Sequence, residues 1–503
     1  MTVPTVMVGE REEGHPDPSV ADGDVHRWRF QPPRLRDPRL HVAAVVVSVQ
    51  VLGQVALGFD LSIAQILVCL LTAAAIELAL TAPRTRVVAW PASALLTGNG
   101  IALILRVPGT EHGDWWSMRG WYVFAATTAV GVLSKYVLRS RGRPLFNPSN
   151  LALVVTFLVL GSGIADPQDL WWGPMSVGLA ATYAIVVVGG VLVTRRLDLL
   201  RVSVAFWSVF AALMGVLAIS GHAMTARWNL GPVAGMQFWT TLALSPEVLI
   251  FVFFMITDPR TGVTGRAGGV LYGAAVALTS GVLIAFQSTE YATKVALLAG
   301  LVVVCALRPV LEHLAPADPP VGVLRWTRQR RGRAMSVAAI GIVAVGLTVL
   351  GSSTTGSVPE PRIGDRPAVE LGEDQRPRVE IGDGLDGLGG SFGTERARQV
   401  ADDLVRALLL ADRALADGDD DLADEVATGP FRRDLSDRAA APAPSRTVAR
   451  ALVDVVRDPD DFQAQPRLAI TLTGTVDGSE WSATYHVLAT TADVRIEREL
   501  RPG

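Results

Sequence analysis

The sequence of 503 residues predicts an all-α polytopic membrane protein: a ten-helix domain of two inverted five-helix halves, one further transmembrane helix, and a small extracytoplasmic α+β domain. Three observations lead there. Half of the residues are apolar although 18% are charged, and the mean hydropathy is +0.35. That mixture fits a membrane part joined to a water-facing part. Apolar segments of near-spanning length recur up to residue 350 and then stop. From Ser353 onward acids outnumber bases by about 11, and Arg is the only base apart from neutral His. The bilayer is therefore the expected partner, and an acidic tail argues against nucleic acid.

Residues 1–38 are charged and Pro-containing without an apolar core, which predicts a disordered cytoplasmic tail rather than a cleavable signal. Residues 39–314 form the expected membrane domain. Its ten segments are 40–57, 61–80, 87–105, 121–137, 151–164, 177–193, 202–219, 238–256, 268–286 and 295–311, several near the ~20 residues a spanning helix needs and several shorter. Residues 315–334 read as a basic cytoplasmic loop and 335–351 as the final transmembrane helix. Loop charges orient the chain. Arg84 and Arg86, the cluster Lys135 to Arg143, then Arg195, Arg196 and Arg201, then Arg260 and Arg266, and finally Arg325 to Arg333 follow the even-numbered segments. The opposite loops hold acids instead: Glu111, Asp114, Asp166, Asp169 and Glu290. By the positive-inside rule the N-terminus is cytoplasmic and the acidic tail is outside.

In that tail, 352–393 is rich in Gly, Pro and charge and reads as a linker. Residues 394–503 read as an α+β domain, with helical spacing of Val400, Leu404, Leu408 and Leu409 and strands at 468–476, 481–489 and 493–500. Helices followed by curled strands suggest a cone of the NTF2-like sort. Around Asp417, Asp419, Asp420 and Asp421 the Gly and distal Glu of a calcium loop are not at the required spacing, so the run reads as a solvated turn. Cys69 and Cys305 sit in apolar runs without CxxC spacing, so no metal site is expected from them.

Three polar strings interrupt the membrane domain. The first is Ser93-Ala94-Leu95-Leu96-Thr97-Gly98-Asn99-Gly100, where Pro91, Gly98 and Gly100 weaken or interrupt a helix. Such backbone at membrane depth is tolerated beside protein or a cavity, and small residues also allow close helix packing. The second is Phe146-Asn147-Pro148-Ser149-Asn150, where Asn147 or Ser149 can cap a helix with Pro148 in its first turn. A helix start there also attracts anions such as phosphate. The third runs from Leu244-Ser245-Pro246-Glu247 to Phe254-Met255-Ile256-Thr257-Asp258-Pro259. A helix starting at Phe238 puts Glu247 roughly 13 Å deep, and a carboxylate there faces a cavity or a partner. Asp258-Pro259 most simply ends the helix. The third and eighth segments occupy matching places in two sets of five, a pattern that points to a binding site near the midplane.

The strings Ser93 to Gly98, Lys135 through Phe146-Asn147-Pro148, and Phe254 to Pro259 followed by Gly265-Arg266 and Tyr272-Gly273 resemble those of the RnfD/NqrB family, membrane subunits of ion-translocating electron-transport complexes. They span Leu40 to about Leu314, a little over half of the chain. The chain looks closest to the shortened branch of UnbU-type membrane proteins from enediyne biosynthesis. The resemblance implies the ten-helix, two-halved architecture and a bacterial electron-transport role. It also implies a flavin. The family esterifies one to a Thr in a Ser-x-Ala-Thr-Pro string, but residues 161–174 here have no such Thr. Ala180-Ala181-Thr182-Tyr183 lacks the Ser and the Pro, so covalent flavin is not expected. A noncovalent FMN or riboflavin, or a quinone, is the cofactor expectation, with Ser93, Thr97, Gly98, Asn147, Ser149, Thr257 and Asp258 as binding residues. Two other readings stand beside it. One is a small-solute or metabolite transporter on the same scaffold, with Glu247 and Ser245 as a cation, proton or substrate site. The other is a scaffold whose outer domain docks a membrane or extracytoplasmic protein. No P-loop, dinucleotide fingerprint or nucleophile triad is present in the sequence.

Overall fold

Polar caps and prolines decide where the helices of the first part begin. The computed structural model describes residues 29–33, 37–110, 112–168, 170, 177–226, 232–314, 341, 346–348, 351, 369–382, 385, 394–437, 442–456, 467–489 and 494–500. Helix α1 (Pro38–Ala56) starts on the Asp37 cap with Pro38 at its first position. Helix α5 (Pro148–Leu160) repeats this with Asn147 and Pro148, and α9 (Pro246–Ile250) with Ser245 and Pro246. In each, the cap oxygen takes an orphan N–H and the proline lacks the N–H that would go unmet. Helix α2 (Ile63–Thr85) starts on a capping box of Ser62 and Gln65.

Among the described residues six helices are long and apolar enough to cross a membrane: Arg39–Ala56, Ile63–Thr85, Val177–Arg196 (α6), Leu200–Ile219 (α7), Gly235–Met255 and Arg266–Ala285 (α10). Helix α3 (Ala92–Ile104) and α5 are shorter apolar helices of 13 residues each. Helices α4 (Trp121–Val137) and α11 (Glu290–Ala306) have 17 residues each, and α12 (Arg308–Leu314) follows.

Two expected segments are corrected. Residues 87–105 are not one helix: Val87–Ala89 is a short strand pairing in parallel with Arg29–Gln31. Helix α3 begins only after Pro91 and then runs unbroken through Gly98 and Gly100. β-branched Val87 and Val88 favour the extended pair, and glycine in a buried helix lowers its propensity without breaking it. The fifth segment starts three residues earlier than expected and ends at Leu160. The eighth does break as expected. Helix α8 (Gly235–Leu244) ends at Ser245, α9 follows, and a π-helical turn spans Phe251–Met255.

Helix packing repeats with an offset of five when α8 and α9 are counted together. Helix α2 packs on α3 and α4, α4 on α5, and α1 on α3. In the later set α7 packs on α8 and α10, α10 on α11, and α6 on α9. The sets meet where α1 packs on α6 and α5 on α11. One continuous apolar core joins them, with Phe124, Phe157, Phe206, Phe210, Phe238 and Phe251 fully buried.

A separate small sheet domain has its own core. Its strands are β1 (Arg378–Ile381), β2 (Arg446–Val456), β3 (Arg467–Val476), β4 (Ser479–Ala489) and β5 (Val494–Leu500), in spatial order β5-β4-β3-β2-β1. All pairs are antiparallel except β1 with β2. Helix α13 (Thr394–Asp417) packs on β5, β1 and β2, and its Val400, Leu404 and Leu408 share one core with alternate strand residues such as Leu468, Ile470 and Leu472. Helices α14 (Asp420–Val426) and α15 (Gly429–Asp437) follow it. Asp419 caps α14, and Asp420 and Asp424 both reach Arg432. The linker expectation is corrected in its second half. Residues 378–381 add a strand in register Arg378↔Arg450, and Leu371 and Leu385 are buried in this core. Composition hid this, because a short strand supplies few apolar side chains and takes most of its binding from main-chain pairing. The expected tail up to residue 28, the basic loop 315–334, most of the final helix 335–351 and the rest of the linker lie outside the described residues.

Candidate functional site

The π-turn and the residues after it border a cavity of about 330 Å3, at the small end of the roughly 300–1,000 Å3 of ligand sites. Its walls come from the start of α1, the length of α3, the ends of α4 and α6, the start of α5 and the segment from Ile250 to Arg260. A π-turn widens a helix by one residue and recurs at functional sites. Here it leaves carbonyls that side chains take up. Asn147 Nδ2 donates to the Met255 carbonyl at 3.1 Å, Ser203 Oγ donates to Val252 at 3.1 Å, and Thr257 Oγ1 donates to Phe253.

Six of the seven residues expected to bind a cofactor line this cavity: Ser93, Thr97, Asn147, Ser149, Thr257 and Asp258. They arrive from three strings far apart in sequence. Ser93 and Thr97 lie one helical turn apart on α3, with Thr97 Oγ1 donating to the Ser93 carbonyl at 2.9 Å. Asn147 is the cap of α5. Its Oδ1 accepts from Asn150 N–H at 3.2 Å and from Ser149 Oγ at 3.0 Å. Asp258 Oδ1 accepts from Arg260 N–H at 2.9 Å, and burial pushes the Asp258 carboxyl above its ordinary value. The seventh residue, Gly98, faces away from the cavity. A Cβ there would come 2.7 Å from the Cys69 carbonyl of α2, so Gly98 serves close helix packing. Gly100 does line the cavity, where a Cβ would only touch Ser149 Oγ at 3.5 Å.

Three cations edge the cavity: Arg39, Lys135 and Arg260. Arg39 holds Asp37 at 2.7 Å, and its hydrogen bond keeps the Asp37 carboxyl below its ordinary value. Lys135 reaches Glu77 of α2 at 3.3 Å and Ser93 Oγ at 3.4 Å, and its side chain is only 9% exposed. The apolar wall includes Leu96, Leu103, Phe253 and Phe254. The site can thus hold a flat, largely apolar group and a polar or anionic end. Sequence reasoning missed Arg39 and the two phenylalanines as site residues. Arg39 carried a signal, since Asp37-Pro38 is the same cap-plus-proline step as Asn147-Pro148.

Ser245 and Glu247 are not in the cavity. Ser245 Oγ accepts from Val248 N–H at 3.2 Å as the cap of α9. Glu247 Oε1 meets Lys294 Nζ of α11 at 2.9 Å and the Leu170 N–H at 2.9 Å. Lys294 also meets Glu290 at 2.7 Å. A cation from the chain itself therefore sits where a bound cation was expected. Lys294 lay just outside the 295–311 segment read from hydropathy, because its own charge ended that segment.

Fold and site together define a multi-pass helical membrane protein that carries a separate sheet domain and a polar-lined cavity between its helices. No protein-family model matches this sequence, and no curated protein matches it.

Proposed function

We propose that this protein is a membrane electron-transfer subunit of the RnfD/NqrB kind that holds a noncovalent flavin, or a quinone, in the cavity. The observation that carries the proposal is convergence: the three strings behind the resemblance, distant in sequence, line one space. The residues fit the group. Leu96, Phe253 and Phe254 offer an apolar wall for a fused ring. The hydroxyls of Ser93, Thr97 and Ser149 can meet its polar edge, and Arg39, Lys135 and Arg260 suit the phosphate of FMN. A bound flavin supplies one- and two-electron transfer. The surrounding residues hold it and keep bulk water from its ring.

In this reading α1–α5 and α6–α11 form two inverted halves, with α8, α9 and the π-turn counted as one broken span. The packing that repeats with an offset of five supports that arrangement. The N-terminus is cytoplasmic in a bacterial inner membrane, and the sheet domain is extracytoplasmic. That domain is NTF2-like, with helices ahead of a mostly antiparallel sheet, and docks a protein partner. A link to secondary-metabolite, enediyne-type biosynthesis follows the branch that the sequence resembles.

Titration of FMN into the purified protein in lipid nanodiscs tests the reading. Saturable quenching of flavin fluorescence near one flavin per chain is expected. Gly100→Leu, which fills the cavity from α3, should abolish it. Quenching no greater than with empty nanodiscs would contradict the flavin reading.

A further inference from the structure

The loop that leads into α4 turns its main chain inward and its rings outward. Three alternate carbonyls, those of Trp115, Ser117 and Arg119, accept hydrogen bonds from the start of α2. The donors are Ile63 N–H at 2.9 Å, Ser62 Oγ at 2.6 Å and Gln65 Nε2 at 2.8 Å. The capping box of α2 thus also brackets this loop. Arg119 Nε donates to the Pro108 carbonyl at 2.8 Å, which bends that cation back onto its own chain. With these carbonyls met from within, Trp115, Trp116, Met118, Trp121 and Tyr122 stand exposed, Trp116 at 69% and Tyr122 at 62%. Single exposed apolar residues need no explanation, whereas a contiguous patch on a pinned loop marks an interaction surface.

The patch is continuous with one face of α4. Tyr122, Ala126, Val130, Leu133 and Val137 recur along that helix at helical spacing, all exposed and none charged. An uncharged stripe of this length is the face a helix shows to lipid. The 17 residues of α4 rise roughly 25 Å, a little less than the ~30 Å of a hydrocarbon core. Arg139, Arg141 and Arg143 follow its far end. Trp121 and Tyr122 therefore fall at the opposite boundary of the core. At the other end of α3, Phe30 and Trp90 are exposed as well, on and beside the short parallel strand pair. A protein partner would account for one patch. A bilayer has two boundaries and accounts for both.

We infer that residues 113–122 lie in the boundary layer between lipid headgroups and acyl chains, with Trp116, Trp121 and Tyr122 as anchors. The partner of this surface is the lipid surface itself. Each anchor has an apolar ring for the acyl side and an N–H or O–H for the headgroup side. Trp121 and Tyr122 meet edge to face at 6.3 Å, so the two rings present one rigid unit.

The bracket gives the anchor a wider reach. It ties the loop to the first turn of α2, and α2 packs on α3 and α4. One interfacial contact thus sets the level of three helices together. The inference stands whatever occupies the cavity.

Spin labels on the full-length protein in phospholipid nanodiscs test it. Cys69 and Cys305 are buried, so labels go to introduced cysteines. Met118→Cys and Tyr122→Cys are independent arms, and Glu480→Cys, in an exposed turn of the sheet domain, is the aqueous reference. Oxygen, which partitions into lipid, should relax the Met118 and Tyr122 labels more than a water-soluble nickel chelate does, with a ratio several-fold above that at Glu480. Phospholipids brominated high on the acyl chain should quench Trp emission more than those brominated near the chain end, and Trp116→Phe should shrink that difference. Nickel access equal to that at Glu480 would place the loop in water. A label that neither reagent reaches would place protein over it, from the sheet domain or a second copy. Either result, or a quenching difference unchanged in Trp116→Phe, would overturn the assignment.

Discussion

Asn147 commits one amide to three hydrogen bonds, and they join the start of α5 to the π-turn. The residue is 7% exposed, so nothing from bulk water replaces what a substitution removes. Asn147→Ala should lower stability by about 2 kcal/mol, combining a lost cap with a carbonyl left unpaired in the interior. Thermal unfolding in detergent measures this. Asn147→Asp keeps the cap oxygen but turns a second oxygen toward the Met255 carbonyl, so it should not restore stability. Wild-type melting of either variant would remove the brace from the account. At this scale the cap was legible in sequence, since Asn-Pro before an apolar run is a helix start with a mechanism. The bond to Met255 was not legible. It depends on a π-turn that Phe251 to Met255 do not announce by composition.

Helix α3 shows how one short element serves two neighbours. Gly98 turns toward α2, and Gly100 turns toward Ser149 at the cavity. Gly98→Ala should therefore destabilise the protein. Its Cβ would stand 2.7 Å from the Cys69 carbonyl, a main-chain atom that moves only with α2. Gly100→Ala meets ordinary contact and adds helix propensity, worth up to about 1 kcal/mol, so it should be neutral or stabilising. Melting temperatures of the two variants decide it, and equal losses would contradict the packing described here. From sequence the two glycines look alike, as interruptions of one helix. Their facing separates them, and facing depends on where Pro91 starts the helix. Hydropathy also merged the short strand Val87–Ala89 into a span, because its parallel partner Arg29–Gln31 lies far away in the chain. Strand β1 escaped for the same reason. Helix α13 was plain, because its apolar spacing is local.

For the whole molecule, the repeated packing and the loop charges make a joint statement about orientation. If the two halves are inverted, Arg141 after α4 and Asp198 after α6 face the cytoplasm, while Gly163 after α5 and Gln287 after α10 face outside. Cys69 and Cys305 are both buried, so the native chain gives little background to a membrane-impermeant thiol reagent. Single cysteines at Arg141 and Asp198 should label only in inside-out vesicles, and those at Gly163 and Gln287 only in right-side-out ones. Labelling of Arg141→Cys and Gly163→Cys from the same side would contradict the inverted halves. The division into membrane and sheet parts was legible because hydropathy and charge both change near residue 350. The cavity was legible only as three strings. That they meet is a property of the fold.

The central claim is that this meeting place holds a flavin without a covalent bond. The absorbance spectrum of the full-length protein, purified from flavin-replete cells, tests it most directly. The account predicts a flavin band that leaves with the supernatant after acid precipitation and is absent from Gly100→Leu prepared in the same way. A colourless wild-type protein, or a flavin that stays with the precipitated chain, would contradict it.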